Sequence, residues 1–258
     1  MATMVDFTST AAMLTAVSTS ILVVSLPALT LLYQLFNPTI LSFPWTSSFN
    51  KTKDKKTTVV FAGSFNPPHN GHLVMIQYLA MRYKEVIVVI GMNPNKTYLV
   101  QPETRADIVR KMVDTLELSQ ECNVRVKVVS GYIWRYAMAN NAKILFRGIR
   151  TWEKDGGEER ALHILNLWGP LLYGPMKWPV PTHYLEGNPK YTSLSSTVIR
   201  DRCRKIKSTL KEKTNSNDNN NGTSSNLNDG SGDSDNDDLN LRGLVPKEVE
   251  MDIINAYC

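Results

Sequence analysis

The stretch TTVVFAGSFNPPHNGH, residues 57–72, decides the fold. Thr57–Ala62 is a short β-branched and apolar run of the kind that forms a strand buried on both faces. Gly63 ends the run and lets the backbone approach a ligand closely. The amides of Ser64 and Phe65 then stand free at the end of a strand. From Gly71 onward LVMIQYLAMRY places Leu73, Ile76, Leu79 and Tyr83 near helical spacing. His69 and His72 therefore sit at the mouth of a helix, where unsatisfied N–H groups and the helix dipole favour an anion. Two imidazoles in that place suit hydrogen-bond donors better than a metal pair, because the only carboxylates in residues 53–85 are Asp54 and Glu85. The loop reads as a cradle for phosphate.

The same alternation continues downstream. EVIVVIG (85–91) is a second buried strand, and residues 102–118 form a helix with Ile108, Met112 and Leu116 on one face. Pro102, Glu103 and Asp107 suit its first turns. VRVKVVS (124–130) alternates as a strand, YIWRYAMANN (132–141) makes a short helix, and AKILFRG (142–148) is another buried run. This βαβαβαβ order predicts an α/β fold, a doubly wound parallel sheet of Rossmann-like type with helices on both faces. Ligands of such sheets bind outside the carboxyl ends of the strands, at the switch point.

Two segments stand apart from this core. Residues 1–50 carry a single charge, Asp6, and residues 11–36 are uncharged. Lys51, Lys53, Lys55 and Lys56 follow. This pattern predicts either a single membrane anchor, with the catalytic domain on the cytosolic side by the positive-inside rule, or a cleaved leader addressed to a plastid or mitochondrion. Residues 214–241 hold six Asp and nine Asn and no Lys or Arg, which predicts a disordered insert. The organisation is thus a leader or anchor at 1–50, a domain at 51–213, the insert at 214–241, and a closing helix at 242–258. In that helix Pro246 suits the start, and Val249, Ile253 and Ala256 repeat at helical spacing.

The whole chain has 258 residues, 42% of them hydrophobic and 21% charged, with three cysteines and a formal net charge of +5. These values exclude a polytopic membrane protein, a disulfide scaffold and wholesale disorder. Without the two odd segments 180 residues remain, enough for one well-buried domain. The excess of cations suits acidic small molecules, and no nucleic acid is expected.

HNGH (69–72) resembles the HxGH signature of the nucleotidyltransferase superfamily. SLSST (193–197) resembles its second signature, a serine-rich turn before a helix, with Ser195 or Ser196 as the cap and Arg200 one turn on. VVFAGSFNPPHNGH, EVIVVIGMNPNK, ILFRGIR, EERALHILN, YTSLSST and LVPKEVEMDII together resemble the bacterial-type phosphopantetheine adenylyltransferase family. This resemblance implies transfer of an adenylyl group from ATP to 4′-phosphopantetheine, giving dephospho-coenzyme A and pyrophosphate. It implies that His72 donates to the α-phosphate in the transition state and that Ser64 bridges the two reacting phosphates. It implies Lys96 and Arg147 on the phosphopantetheine phosphate, with Ile133 lining the arm. For ATP it implies Phe65, His69, Gly148, Ile149, Arg150, Glu159, Arg200 and the segment Tyr191, Thr192, Ser193, Leu194, Ser195, Ser196 and Thr197. Mg²⁺ would accompany ATP with no dedicated protein ligands, and a homo-oligomer is implied by family habit. NMN adenylyltransferases share both signatures and are the alternative, together with a tethered nucleotide-binding module that has lost turnover.

Two stretches depart from the family pattern. Gly156 and Gly157 within TWEKDGGEER predict a helix that starts late. The Pro- and Gly-rich residues 169–191 read as an extended connection on the adenine side.

Overall fold

The structure, a computed structural model, describes residues 25–45, 54–92, 97–118, 123–191, 194–217 and 240–258. Its centre is one six-stranded sheet in which every pairing is parallel. The strands are β1 (Thr39–Leu41), β2 (Asp54–Gly63), β3 (Tyr83–Met92), β4 (Asn123–Ser130), β5 (Ile144–Ile149) and β6 (Thr182–Glu186), in the order β1-β6-β5-β2-β3-β4. The chain runs outward from β2 through β3 to β4, then returns to the other side of β2 as β5. The switch point therefore lies between β2 and β5, where Ala62 stands in register with Arg147.

Alternation along the strands builds two cores. Val59, Phe61, Val86, Val88, Ile90 and Phe146 face α2 (Asn70–Arg82) and α3 (Pro102–Asp114), meeting Met75, Ile76, Leu79, Ala106 and Val109. Val60, Ala62, Ile87, Val89 and Leu145 face the opposite way, against Ala137 of α4 (Ile133–Ala139). The period of two in these strands thus supplies both faces of a doubly wound sheet. A third core joins Ile108 and Met112 of α3 to Ile199 and Cys203 of α6 (Ser196–Asn217) and to Val249, Ile253 and Tyr257 of α7 (Lys247–Tyr257).

The expected boundary at residue 50 is corrected by the structure. A helix at 25–36, α1, leads into β1, which adds an edge strand beside β6. Trp45 is 5% exposed in the main core; its indole donates to the Glu186 carbonyl at 2.9 Å, and its own carbonyl accepts from the Tyr78 hydroxyl at 2.8 Å. His163 of α5 (Trp152–Leu172) meets the Gln34 carbonyl through Nε2 at 2.9 Å. Residues 25–45 are tied to the domain by the buried Leu31 and Trp45 and by the pairing of β1 with β6, while Leu26, Leu29, Leu32, Tyr33 and Phe36 of α1 stay exposed. Among the described residues no helix is long and apolar enough to cross a membrane. The rest of the anchor-or-leader segment, residues 1–24 and 46–50, lies outside the described residues.

Three further expectations change. Helix α5 begins at Trp152 rather than late: the Thr151 side chain caps it by accepting from the Lys154 amide, and Glu153 and Asp155 occupy its first turn. Gly156 has a packing use there, since a Cβ would lie 3.0 Å from the Trp152 indole. The stretch 169–191, expected as an extended connection, holds the end of α5 and a strand, β6. Both ends of the expected insert are ordered. Helix α6 runs to Asn217, and Leu241 is fully buried against α6 and α7. The middle of the expected disordered insert, 218–239, lies outside the described residues.

Candidate active site

The carboxyl ends of β2 and β5 and the amino ends of α2 and α6 converge at the switch point. Gly63 is required at the end of β2, because a Cβ would fall 2.9 Å from the Phe65 ring. Phe65 adopts φ +46°, and its buried ring holds it there, packed 5.8 Å from the Phe61 ring and 4.8 Å from the His72 ring between centroids. Ser64 beside it is exposed. The left-handed residue turns the chain so that the loop lies across the mouth of α2.

His69 caps that helix and His72 lies one turn in, their rings 3.8 Å apart between centroids. The His69 amide donates to His72 Nδ1 at 3.3 Å. Nδ1 is thereby the acceptor of the ring, and the proton sits on Nε2, which is left as a donor. Burial holds the His72 pKa down to about 4, and burial together with the neighbouring His72 ring holds His69 well below its ordinary value. Both rings are neutral at pH 7. The site therefore presents a neutral N–H where an imidazolium would otherwise stand.

On β5, Arg147 makes a bidentate pair with Glu159 of α5, Nε to Oε2 and Nη2 to Oε1 both at 2.6 Å. Glu159 is 8% exposed, and the pair keeps Arg147 charged against the pull of desolvation. Arg150 is paired in turn by Asp155, with Nε 3.1 Å from Oδ1. The expected cationic cluster is thus two ion pairs, each arginine already facing a carboxylate. Gly148 is closely packed, since a Cβ there would meet Met75 Sδ at 2.7 Å, and the Ile149 side chain is buried. Ile133 lies beside the end of β3, its Cδ1 3.5 Å from a Cβ built on Gly91.

At α6, Ser195 is the cap, its hydroxyl accepting from the Val198 amide at 3.3 Å. The Ser196 hydroxyl donates to the Pro67 carbonyl at 2.8 Å, and Arg200 donates to the Asn66 carbonyl and to Thr197 Oγ1. The serine-rich turn and the Gly63–His72 loop, about 130 residues apart in sequence, are therefore stitched together directly. Leu194 and Tyr191 pack into the third core. Lys96, Thr192 and Ser193 lie outside the described residues.

Arg105 of α3 was missed by sequence reasoning. It is fully buried, donates from Nη1 to the Ser64 carbonyl, and lies 4.3 Å from the centre of the Tyr98 ring. One signal could have found it: a charged residue three positions before Ile108, on the apolar stripe of its helix. Among the described residues no group of three or more His, Cys, Asp or Glu side chains comes together. Glu159 and Asp155 are occupied by arginines, so the described residues do not form a cage for a resident metal.

A sheet with this order, a glycine-ended strand, a helix mouth bearing two histidines and a serine-capped second helix define a nucleotidyltransferase site. The chain belongs to the cytidylyltransferase-like family, which matches residues 60–202. Within it, the chain is an enzyme of phosphopantetheine adenylyltransferase type. It is 30% identical to the phosphopantetheine adenylyltransferase of Gloeothece citriformis over 55% of this chain and 82% of that one. The corresponding protein of Aquifex aeolicus is 29% identical over 55% of this chain and 80% of its own length, and that of Leptospira biflexa 26% over 58% and 85%. Among solved structures, the Plasmodium falciparum nicotinic acid mononucleotide adenylyltransferase complexed with NaAD aligns with a TM-score of 0.39 and 15% identity, covering 57% of this chain and 84% of that one.

Proposed function

We propose that this chain transfers the adenylyl group of ATP to 4′-phosphopantetheine. A phosphate oxygen of the acceptor attacks the α-phosphorus in line as the bond to the β-phosphate oxygen breaks. Dephospho-coenzyme A forms and pyrophosphate leaves. No covalent intermediate on the protein is involved, so the residues need only orient the reactants and meet the charge that grows on the α-phosphate. The observation that carries the reading is the His69 amide seated on His72 Nδ1 at 3.3 Å, which leaves Nε2–H as a donor at the helix mouth.

The remaining roles follow the family pattern. Ser64 and the Phe65 amide serve the phosphates, and Arg147, steadied by Glu159, serves the acceptor phosphate, a role the family pattern also gives to Lys96. A divalent cation supports the reaction bound to the phosphate oxygens of ATP; Mg²⁺ fits, since those oxygens and water satisfy its preference for hard ligands. Purified full-length chain should release pyrophosphate from ATP when given 4′-phosphopantetheine and not when given NMN. The opposite preference would overturn the reading in favour of the dinucleotide branch of the superfamily.

A further inference from the structure

Arg105 differs from Arg147 and Arg150 of the site. Arg147 and Arg150 each face a carboxylate, whereas Arg105 makes no ion pair within the described residues. Among the described residues its buried Nε and Nη2 groups have no hydrogen-bond partner. A fully buried guanidinium held mainly by one carbonyl and one aromatic ring lowers the stability of the fold. Residues kept against stability are expected where the reaction needs them.

What Arg105 does follows from peptide geometry. The Ser64–Phe65 bond is trans, the two cis bonds being Phe43–Pro44 and Asn66–Pro67. In a trans peptide the C=O of one residue and the N–H of the next point to opposite sides. By holding the Ser64 carbonyl toward α3, Arg105 turns the Phe65 N–H away from α3. That orientation is also the one that places Phe65 at φ +46°. Rotating the peptide by half a turn would carry φ to roughly −134°, an ordinary extended value, and would swing the N–H around. The backbone alone therefore favours the flipped peptide, and the bond from Arg105 opposes it.

We propose that Arg105 is a positioning residue that holds the Ser64–Phe65 peptide in its strained orientation, so that the Phe65 N–H is presented to the transferring phosphate. This rests on the adenylyl-transfer reading, and the tests separate the two. Arg105→Met should fold with a Tm at or above that of the parent and lose on the order of 10²-fold in kcat, as small misplacements at a reacting centre do. The KM for ATP should stay within a few-fold. Arg105→Lys keeps one donor and should recover activity to within about ten-fold of the parent. A lower Tm, failure of Arg105→Met to fold, or an unchanged kcat would each overturn the proposal.

A readout independent of the acceptor uses full-length chain labelled with ¹⁵N-phenylalanine, whose seven amides are few enough to assign. A non-hydrolysable ATP analogue should move the Phe65 resonance in the parent and leave it unmoved in Arg105→Met. Equal movement in both would overturn the role of Arg105. Failure of the parent to use 4′-phosphopantetheine would instead overturn the substrate reading while leaving this measurement intact.

Discussion

His72→Asn tests the electrostatics of the helix mouth. Asparagine carries an oxygen where imidazole carries Nδ1, so it can still accept from the His69 amide, but it never ionises. In the folded chain burial holds the His72 pKa at about 4, against 6.5 in the unfolded chain. A depressed pKa on a base means that the unfolded state takes the proton first. Stability is therefore complete above about pH 6.5 and is lost as pH falls from there through about 4. The gap is worth about 3 kcal/mol in full, and about 2 kcal/mol of it disappears between pH 7 and pH 5. Urea unfolding of parent and variant at the two pH values gives the comparison. The parent should lose about 2 kcal/mol more than His72→Asn over that interval. Equal losses in the two proteins would refute both the neutral His72 and the donor role derived from it.

Three other outcomes are expected. Glu159→Gln leaves Arg147 charged, buried and unpaired, so urea unfolding should show a loss of about 3–5 kcal/mol; a loss under 1 kcal/mol would mean that Arg147 turns out to solvent. Trp45→Ala should cost about 3–5 kcal/mol by the same measurement, and a chain beginning at residue 51 should melt well below the parent; an unchanged melt would return residues 25–45 to the status of a detachable leader. In α5, Gly157→Ala meets open space and should raise stability by about 0.5–1 kcal/mol, whereas Gly156→Ala should show no gain, because its Cβ would press on the Trp152 indole at 3.0 Å. Thermal unfolding of the pair decides this, and equal gains would remove the packing role assigned to Gly156.

Sequence by itself determined the central strands, their parallel winding and the place of the Gly63–His72 loop. The middles of β2 (Val59–Ala62), β3 (Val86–Ile90) and β5 (Ile144–Phe146) are wholly apolar, as strands buried on both faces require. The helix-mouth histidines and the serine cap of α6 were equally legible, since capping depends on neighbours three or four residues away. Strands β1 and β6 were not. Each is short and sits at or next to a sheet edge, where a few residues such as Thr39–Leu41 carry too little pattern to stand out from a loop.

The charges were decided by tertiary structure alone. Arg147 and Glu159 are twelve residues apart, and their bidentate pair exists because β5 and the second and third turns of α5 face one another. His72 is an ordinary histidine in sequence and a neutral donor only because burial strips its water and the His69 amide takes its Nδ1. Arg105 belongs to the loop rather than to solvent because α3 crosses behind Ser64. Local order and apolar period fix the scaffold one strand or helix at a time. Protonation and pairing depend on which groups the fold brings within about 3 Å of one another, and that distance is set across the sheet rather than along the chain.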